Sequence, residues 1–287
     1  MTDSTSIAET LVLGATGKTG RHIARQLEER GVPVRIGSRQ APRPFSWDDR
    51  SGWARAMEGV RAIYIAYAPD LAVPGAPADI AALVKQARQS GVEQLVLLSG
   101  RGEPEAETCE DIVRYSGLRW TIIRASWFFQ NFSEGAFQPM IEAGEIALPV
   151  GHITEPFIDV RDIADIAVAA LTSTEHDGQL YEVTGPQSLT FGEVAALIAA
   201  HADREVSYVE VSLDAFIAGA REAGLPTDIV WLMGYLFGTI LDGRNSLPTG
   251  GVARALGREP RGFSDFADSV VEGVWTVADS EDMEAAQ

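Results

Sequence analysis

Seven consecutive residues, Gly14-Ala15-Thr16-Gly17-Lys18-Thr19-Gly20, carry the first usable chemistry of this chain. Their types and spacing suit a phosphate group. Gly14 permits a tight exit from a preceding strand, Gly17 lets the main chain approach a pyrophosphate, and Gly20 lets the following helix pack closely on a sheet. The start of that helix then offers unpaired N–H groups and partial positive charge to the anion. Gly17-Lys18-Thr19 also matches the end of the G-x-x-x-x-G-K-T loop of nucleoside triphosphatases, but the glycine needed five residues before Gly17 is replaced by Val12. The acidic magnesium partner of such a loop is missing too, because the apolar strand at 62–66 runs into Tyr67, Ala68 and Pro69. A dinucleotide fits this turn better than a triphosphate.

The end of the second strand decides which dinucleotide. An acidic residue there would hydrogen-bond the ribose 2′-hydroxyl of NAD, whereas this chain reads Gly37-Ser38-Arg39. With no carboxylate present, Arg39 is expected to pair with the 2′-phosphate of NADP, helped by the Ser38 hydroxyl, and Arg43 is a second candidate cation.

These residues need a scaffold, and the hydrophobic pattern supplies one. Strands are expected at 10–13, 34–36, 62–66, 94–98 and 119–123, with helices at 19–30, 78–90 and 108–116 between them. Ile80, Leu83, Val84 and Ala87 form the stripe of a helix packed on a sheet. This alternation predicts an α/β fold, a doubly wound parallel sheet of Rossmann type with a smaller, largely helical C-terminal substrate domain. Ligands bind at the carboxyl ends of such strands, which selects 66–69, including Ala66 and Tyr67, and 99–101, including Ser99. After Arg124 the rhythm breaks into an aromatic and glycine-rich stretch, 126–151, followed by another αβ unit at 157–184. Thr190 and Glu193 spell a capping box for a helix at 191–201, and Ser212 caps a helix running to Ala223. We therefore expect a dinucleotide-binding domain from 1–128 and 156–200, a substrate-binding domain from 129–155 and 201–275, and a disordered acidic tail at 276–287.

The totals narrow the function classes. The chain has 287 residues and a net charge of −18, which disfavours nucleic-acid and membrane-surface roles. Cys109 is the single cysteine, so there is no intramolecular disulfide framework and no cysteine cluster for a metal; no metal is expected. The polar start lacks a signal-peptide pattern, and the apolar run 229–241 falls short of the roughly 20 residues of a membrane helix. A cytoplasmic protein, monomeric or homodimeric, is expected. The run from Trp231 to Leu241, with Met233 and Phe237, is expected either to roof an apolar pocket or to form a dimer interface.

Five stretches together resemble the NmrA-like branch of the atypical short-chain dehydrogenases/reductases: 12–20; Ser116-Gly117-Leu118-Arg119-Trp120-Thr121-Ile122-Ile123-Arg124; Phe129-Gln130-Asn131-Phe132; Phe157-Ile158-Asp159-Val160-Arg161-Asp162-Ile163-Ala164; and Gly257-Arg258-Glu259-Pro260-Arg261-Gly262-Phe263. The resemblance spans most of the chain. It implies NADP(H) held between a Rossmann-type domain and a smaller C-terminal one, in a family of quinone reductases, other reductases and nucleotide-sensing regulators. It also implies that Ser99 borders the nicotinamide, as the one candidate catalytic residue, and that Trp127, Phe128 and Asn131 face the cleft as substrate contacts beside Tyr67. The aromatics of this stretch are equally compatible with ordinary core. Asp159 and Asp162 are expected to orient backbone rather than to catalyse.

The usual proton donor of that superfamily, a tyrosine four residues before a lysine, is missing. Tyr115 is followed by Arg119, but Gly117 intervenes and Arg119 opens a strand, so the two cannot share one helix. No lysine follows Lys85. Hydride addition to a ketone leaves an alkoxide of basicity roughly 16, whereas a quinone leaves a phenoxide-like anion near roughly 10. Six such units correspond to about 8 kcal/mol less charge to stabilise. The expected activity is therefore NADPH-dependent hydride transfer to a quinone or similar conjugated, apolar electrophile, with water or Ser99 supplying protons. Two alternatives stand beside it: a non-catalytic NADP(H)-sensing regulator with a protein partner, and a reductase, epimerase or isomerase of a specialised metabolite.

Overall fold

The computed structural model describes residues 9–135, 137–270 and 274–275. Along these residues the elements run β1 (Glu9–Leu13), α1 (Gly20–Glu29), β2 (Val34–Gly37), α2 (Trp53–Met57), β3 (Val60–Ile65), α3 (Ala76–Gln89), β4 (Gln94–Gly100), α4 (Pro104–Arg114), β5 (Arg119–Ala125), α5 (Gln138–Glu142), β6 (Glu145–Leu148), β7 (Thr154–Glu155), α6 (Val160–Thr172), β8 (Gln179–Val183), β9 (Leu189–Thr190), α7 (Phe191–Ala202), β10 (Ser207–Glu210), α8 (Leu213–Glu222), α9 (Thr227–Tyr235), α10 (Gly251–Leu256) and α11 (Phe263–Ala267). They group into two compact units. Of the described residues, the first holds those within 9–125, 160–184 and 249–259, and the second those within 126–159, 185–248 and 260–275. The acidic tail expected to be disordered, 276–287, lies outside the described residues.

The first unit is a parallel sheet in the order β2-β1-β3-β4-β5-β8. Strand order reverses between β1 and β3, which is where a crevice opens at the carboxyl ends of an open α/β sheet. Leu11, Leu13, Ile63, Ile65, Leu95 and Leu97 point to one face of the sheet and pack on Ile80, Leu83, Val84 and Ala87 of α3, the stripe read from the sequence. Burying aliphatic side chains such as these contributes about 1.5–3 kcal/mol each. α4 begins four residues before the expected start, because Pro104 takes the first helical turn, where a missing N–H costs nothing, and Glu105 and Glu107 complement the helix start.

The second unit is built around aromatic rings: Phe129, Phe132, Phe137, Phe157, Phe191 and Phe237 are all buried together. The capping box forms as the sequence predicts. The Glu193 N–H donates to Thr190 Oγ1 at 3.0 Å, and the Thr190 N–H donates to Glu193 Oε2 at 2.7 Å. Ser212 likewise accepts the Ala215 N–H at 3.2 Å. The unit boundaries depart from the expected ranges: 126–128, 156–159 and 185–200 fall in the second unit and 249–259 in the first. α7 falls in the second unit because Phe191, Val194 and Ile198 belong to the aromatic core, and 249–259 return to the first unit, where α10 packs on β8. The close contact is backbone to backbone: a methyl group on Gly251 would lie 1.9 Å from the Glu182 carbonyl oxygen. No described helix is long and apolar enough to cross a membrane.

Candidate functional site

β1 delivers the glycine turn to the switch point. Gly14 has φ +70°, a left-handed conformation that disfavours any side chain, and a methyl group there would come within 3.2 Å of the Ala66 side chain at the end of β3. The turn closes with the Gly17 N–H on the Gly14 carbonyl at 2.9 Å. α1 then packs so tightly on this turn that a methyl group on Gly20 would lie 2.2 Å from the Gly14 oxygen. Ala15, Thr19 and Gly20 are buried, whereas Thr16 and Gly17 are exposed at the tip and Lys18 is half-buried. α1 carries no carboxylate in its first turn, so nothing there opposes an anion. These features fit a dinucleotide pyrophosphate: exposed backbone at Gly17 and the start of a ten-residue helix with no acid in its first turn.

Thr19 is placed differently from its neighbours. Its hydroxyl accepts a hydrogen bond from the Tyr64 phenol at 2.9 Å beneath the turn, and burial pushes the Tyr64 phenol above its ordinary range. The Thr19 side chain thus ties α1 to β3, which leaves its main chain as the part able to meet a phosphate. Tyr64 is a residue that sequence reading missed; its place in an apolar strand run gives no sign that its hydroxyl meets residue 19.

At the end of β2, Gly37 is buried and a methyl group there would clash with Leu13 and the Val12 carbonyl, so position 37 cannot carry an acid. The Ser38 carbonyl accepts the N–H groups of Ala41 and Phe45, folding the loop back. Arg39 is exposed and forms no ion pair among the described residues. The other cations nearby are spent. Arg35 binds Glu9 and the carbonyls of Ala56 and Glu58, and Arg43 pairs with the Glu58 carboxylate at 3.2 Å. Of the two cations proposed from sequence, only Arg39 is uncommitted.

Beyond β3, the Tyr67 hydroxyl donates to Asp79 Oδ2 at 2.6 Å, and Arg50 holds the other oxygen at the same distance. Loss of solvent, followed by the Asp79 carboxylate, raises the Tyr67 phenol well above its usual value, so it stays protonated and bound to its partner. Ser99, at the end of β4, is buried and donates to Glu110 Oε1 at 2.7 Å. Glu110 is in turn gripped by Arg124, with Nε at 2.8 Å and Nη2 at 2.5 Å. These bonds commit the Ser99 hydroxyl hydrogen to an internal ion pair, which makes the serine a poor proton source. The Cys109 thiol is buried on α4 and pushed up to about 12 by burial, so it is inert as a nucleophile.

In the second unit, Trp127 is half-buried and packs its ring against Phe137, Phe191 and Phe237 at centroid distances of 6.3, 5.6 and 5.4 Å. Phe128 is half-buried and bridges to Ile158. Asn131 is half-buried, and its carbonyl accepts the Phe137 N–H. Phe129 and Phe132 are core. Asp159 receives Gln130 Nε2 at 3.0 Å. In the first unit Asp162 receives Arg258 Nη2 at 2.7 Å, which joins two of the motif stretches. The bonds shown for both aspartates are to side chains. The 229–241 run forms α9 and one π-helical turn; Ile217, Arg221, Val230, Trp231 and Tyr235 line an open groove of about 640 Å³ there.

A parallel sheet with a glycine-spaced turn and a helix start at its switch point defines a Rossmann-type dinucleotide-binding protein. The model of the family described as NAD(P)H-binding matches residues 14–174, and this chain belongs to that family, in its NmrA-like, atypical short-chain dehydrogenase/reductase branch. The NAD(P)H azoreductase of Xenophilus azovorans is 31% identical over 281 residues, covering 90% of this chain and 96% of that protein. Among solved structures, the NADPH-dependent quinone oxidoreductase of Escherichia coli, complexed with NADPH, shares the fold with a TM-score of 0.72 at 18% identity, covering 90% of this chain and 98% of the other. The Citrobacter triphenylmethane reductase complexed with NADP(H) does so with a TM-score of 0.71 at 19% identity, covering 92% and 100%.

Proposed function

We propose that this chain, an NAD(P)H-dependent oxidoreductase acting on a small molecule, uses NADPH to reduce an apolar conjugated electrophile, best represented by a quinone. One observation carries the choice of acceptor. Tyr115, the tyrosine four residues before a basic side chain, is 80% exposed beyond the end of α4, and Arg119 opens β5, so no tyrosine–lysine donor stands ready for an alkoxide. An acceptor whose reduced form is a weak base needs the least from the protein.

The residues divide the work as follows. The backbone of 14–20 and the start of α1 hold the pyrophosphate, with Thr16, Gly17 and Lys18 at the tip, and Ser38 and Arg39 take the 2′-phosphate. Ala66 and the Tyr67 main chain line the cofactor at the end of β3. Ser99, fixed through Glu110 and Arg124, sets the end of β4 on which the nicotinamide rests. When bound, NADPH supplies the hydride. Trp127, Phe128 and Asn131 contribute the substrate contacts, with the aromatic faces suited to a flat acceptor.

The azoreductase and quinone-reductase names of its relatives support this reading, since both acceptors are conjugated. Steady-state NADPH oxidation with a panel of quinones tests it: acceptor-dependent turnover is expected, and a rate that stays at background with every quinone would sink the proposal in favour of nucleotide sensing.

A further inference from the structure

Strand β3 reaches the glycine turn at both of its ends. At the first, a methyl group on Gly14 would come within 3.2 Å of the Ala66 side chain. At the second, two residues back along β3, the Tyr64 hydroxyl donates to Thr19 Oγ1 at 2.9 Å. Tyr64 pairs in register with Val12 of β1 and Val96 of β4, so its ring rises between two neighbouring strands, on the face opposite Ile63 and Ile65. Tyr64 is fully buried and Thr19 is 4% exposed. Loss of solvent holds the phenol above its ordinary range, so it stays neutral and keeps its hydrogen for Thr19. A threonine beside a helix start ordinarily caps it by accepting one of the first N–H groups. The Thr19 side chain accepts none of them. Among the described residues the N–H groups of Thr19 and Gly20 also have no acceptor, which leaves them open to an anion.

We propose that Tyr64 is a positioning residue for the cofactor: through Thr19, its hydroxyl holds the turn and the start of α1 in the conformation that receives the pyrophosphate. The inference rests on the placement of the pyrophosphate at 14–20 proposed above. A cradle made of main-chain N–H groups binds well only when those groups already converge, because ordering them on binding subtracts from the affinity. Gly14 and Gly17 do not supply that order, since glycine backbone is the most permissive there is. It comes from β3, paired on both sides by β1 and β4, and the phenol carries it to Thr19, the buried threonine of the turn. A second tie on α1 lies away from the turn, where Gln26 Nε2 donates to Asp165 Oδ1 on α6 at 2.8 Å. The two ties make separable contributions: Gln26 holds the helix, whereas Tyr64 holds the part of it that meets the phosphates.

NADPH and adenosine 2′-monophosphate, which has the 2′-phosphate but no pyrophosphate, are titrated into wild type, Tyr64→Phe, Thr19→Val, the double variant and Gln26→Leu. Tyr64→Phe should raise the NADPH Kd roughly 10-fold and leave that of the monophosphate within about 2-fold, because only NADPH uses the turn. Thr19→Val should act in the same way, and the double variant should lose no more than either single one, since each removes the same hydrogen bond. Gln26→Leu should lower the thermal unfolding temperature yet leave the NADPH Kd within about 2-fold. An unchanged NADPH Kd in Tyr64→Phe, additive losses in the double variant, or an equal NADPH loss in Gln26→Leu overturns the positioning role alone. Equal losses for the two ligands in Tyr64→Phe overturn it as well, because the hydroxyl would then serve the whole domain and not the turn. A wild type that binds NADPH no more tightly than the monophosphate overturns the pyrophosphate placement and the positioning role with it.

Discussion

Gly20→Ala should abolish measurable NADPH binding and lower stability by about 3 kcal/mol or more. The added methyl group would sit 2.2 Å from the Gly14 carbonyl oxygen and 2.8 Å from Ala15 Cα, both of them backbone atoms that cannot rotate away. To relieve the contact, α1 must move off the turn, which breaks the Tyr64 to Thr19 hydrogen bond and withdraws the helix start from the phosphates. Thermal unfolding and a nicotinamide fluorescence titration read the two effects. A folded variant with wild-type NADPH affinity would show that α1 does not need to sit so close.

Arg124→Met should cost about 3–5 kcal/mol, because it strands a carboxylate and not because the pair itself is strongly stabilising. Glu110 is 1% exposed and owes two of its close bonds to the Arg124 guanidinium, whose own pKa is raised chiefly by that contact. Removing the cation leaves Ser99 and the more distant Arg114, at 3.9 Å, as partners. The double variant Arg124→Met/Glu110→Leu should recover much of the loss, since a buried ion pair can often be replaced by apolar packing. Chemical denaturation of the single and double variants measures this; equal losses in both would mean that the bulk of the side chains, not the stranded charge, sets the cost.

Elements fixed by near neighbours were legible in the sequence, and contacts between distant residues were not. β1, the glycine turn and α1 form one local unit, and Thr190 and Glu193 are three residues apart, so each could be read directly. Pro104 misleads because proline ends helices in their interior yet suits their first turn. Ser99 looked available at a strand end because nothing near it in sequence announces Glu110 and Arg124 across α4 and β5. Trp127 could be core or site by composition, and its ring contacts place it at the edge of the aromatic core of its own unit. Arg39 was legible by position, but its freedom from ion pairs was not. Arg35 and Arg43, by contrast, are held by Glu9 and Glu58.

The cofactor site rests most directly on Arg39, and paired titrations of NADPH and NADH into wild type and Arg39→Asp test it. Charge-assisted bonds to a phosphate are worth about 1.5–3 kcal/mol, so wild type should prefer NADPH, and the substitution should weaken NADPH roughly 10- to 100-fold while leaving NADH within a few-fold. Equal losses for the two dinucleotides would contradict the account.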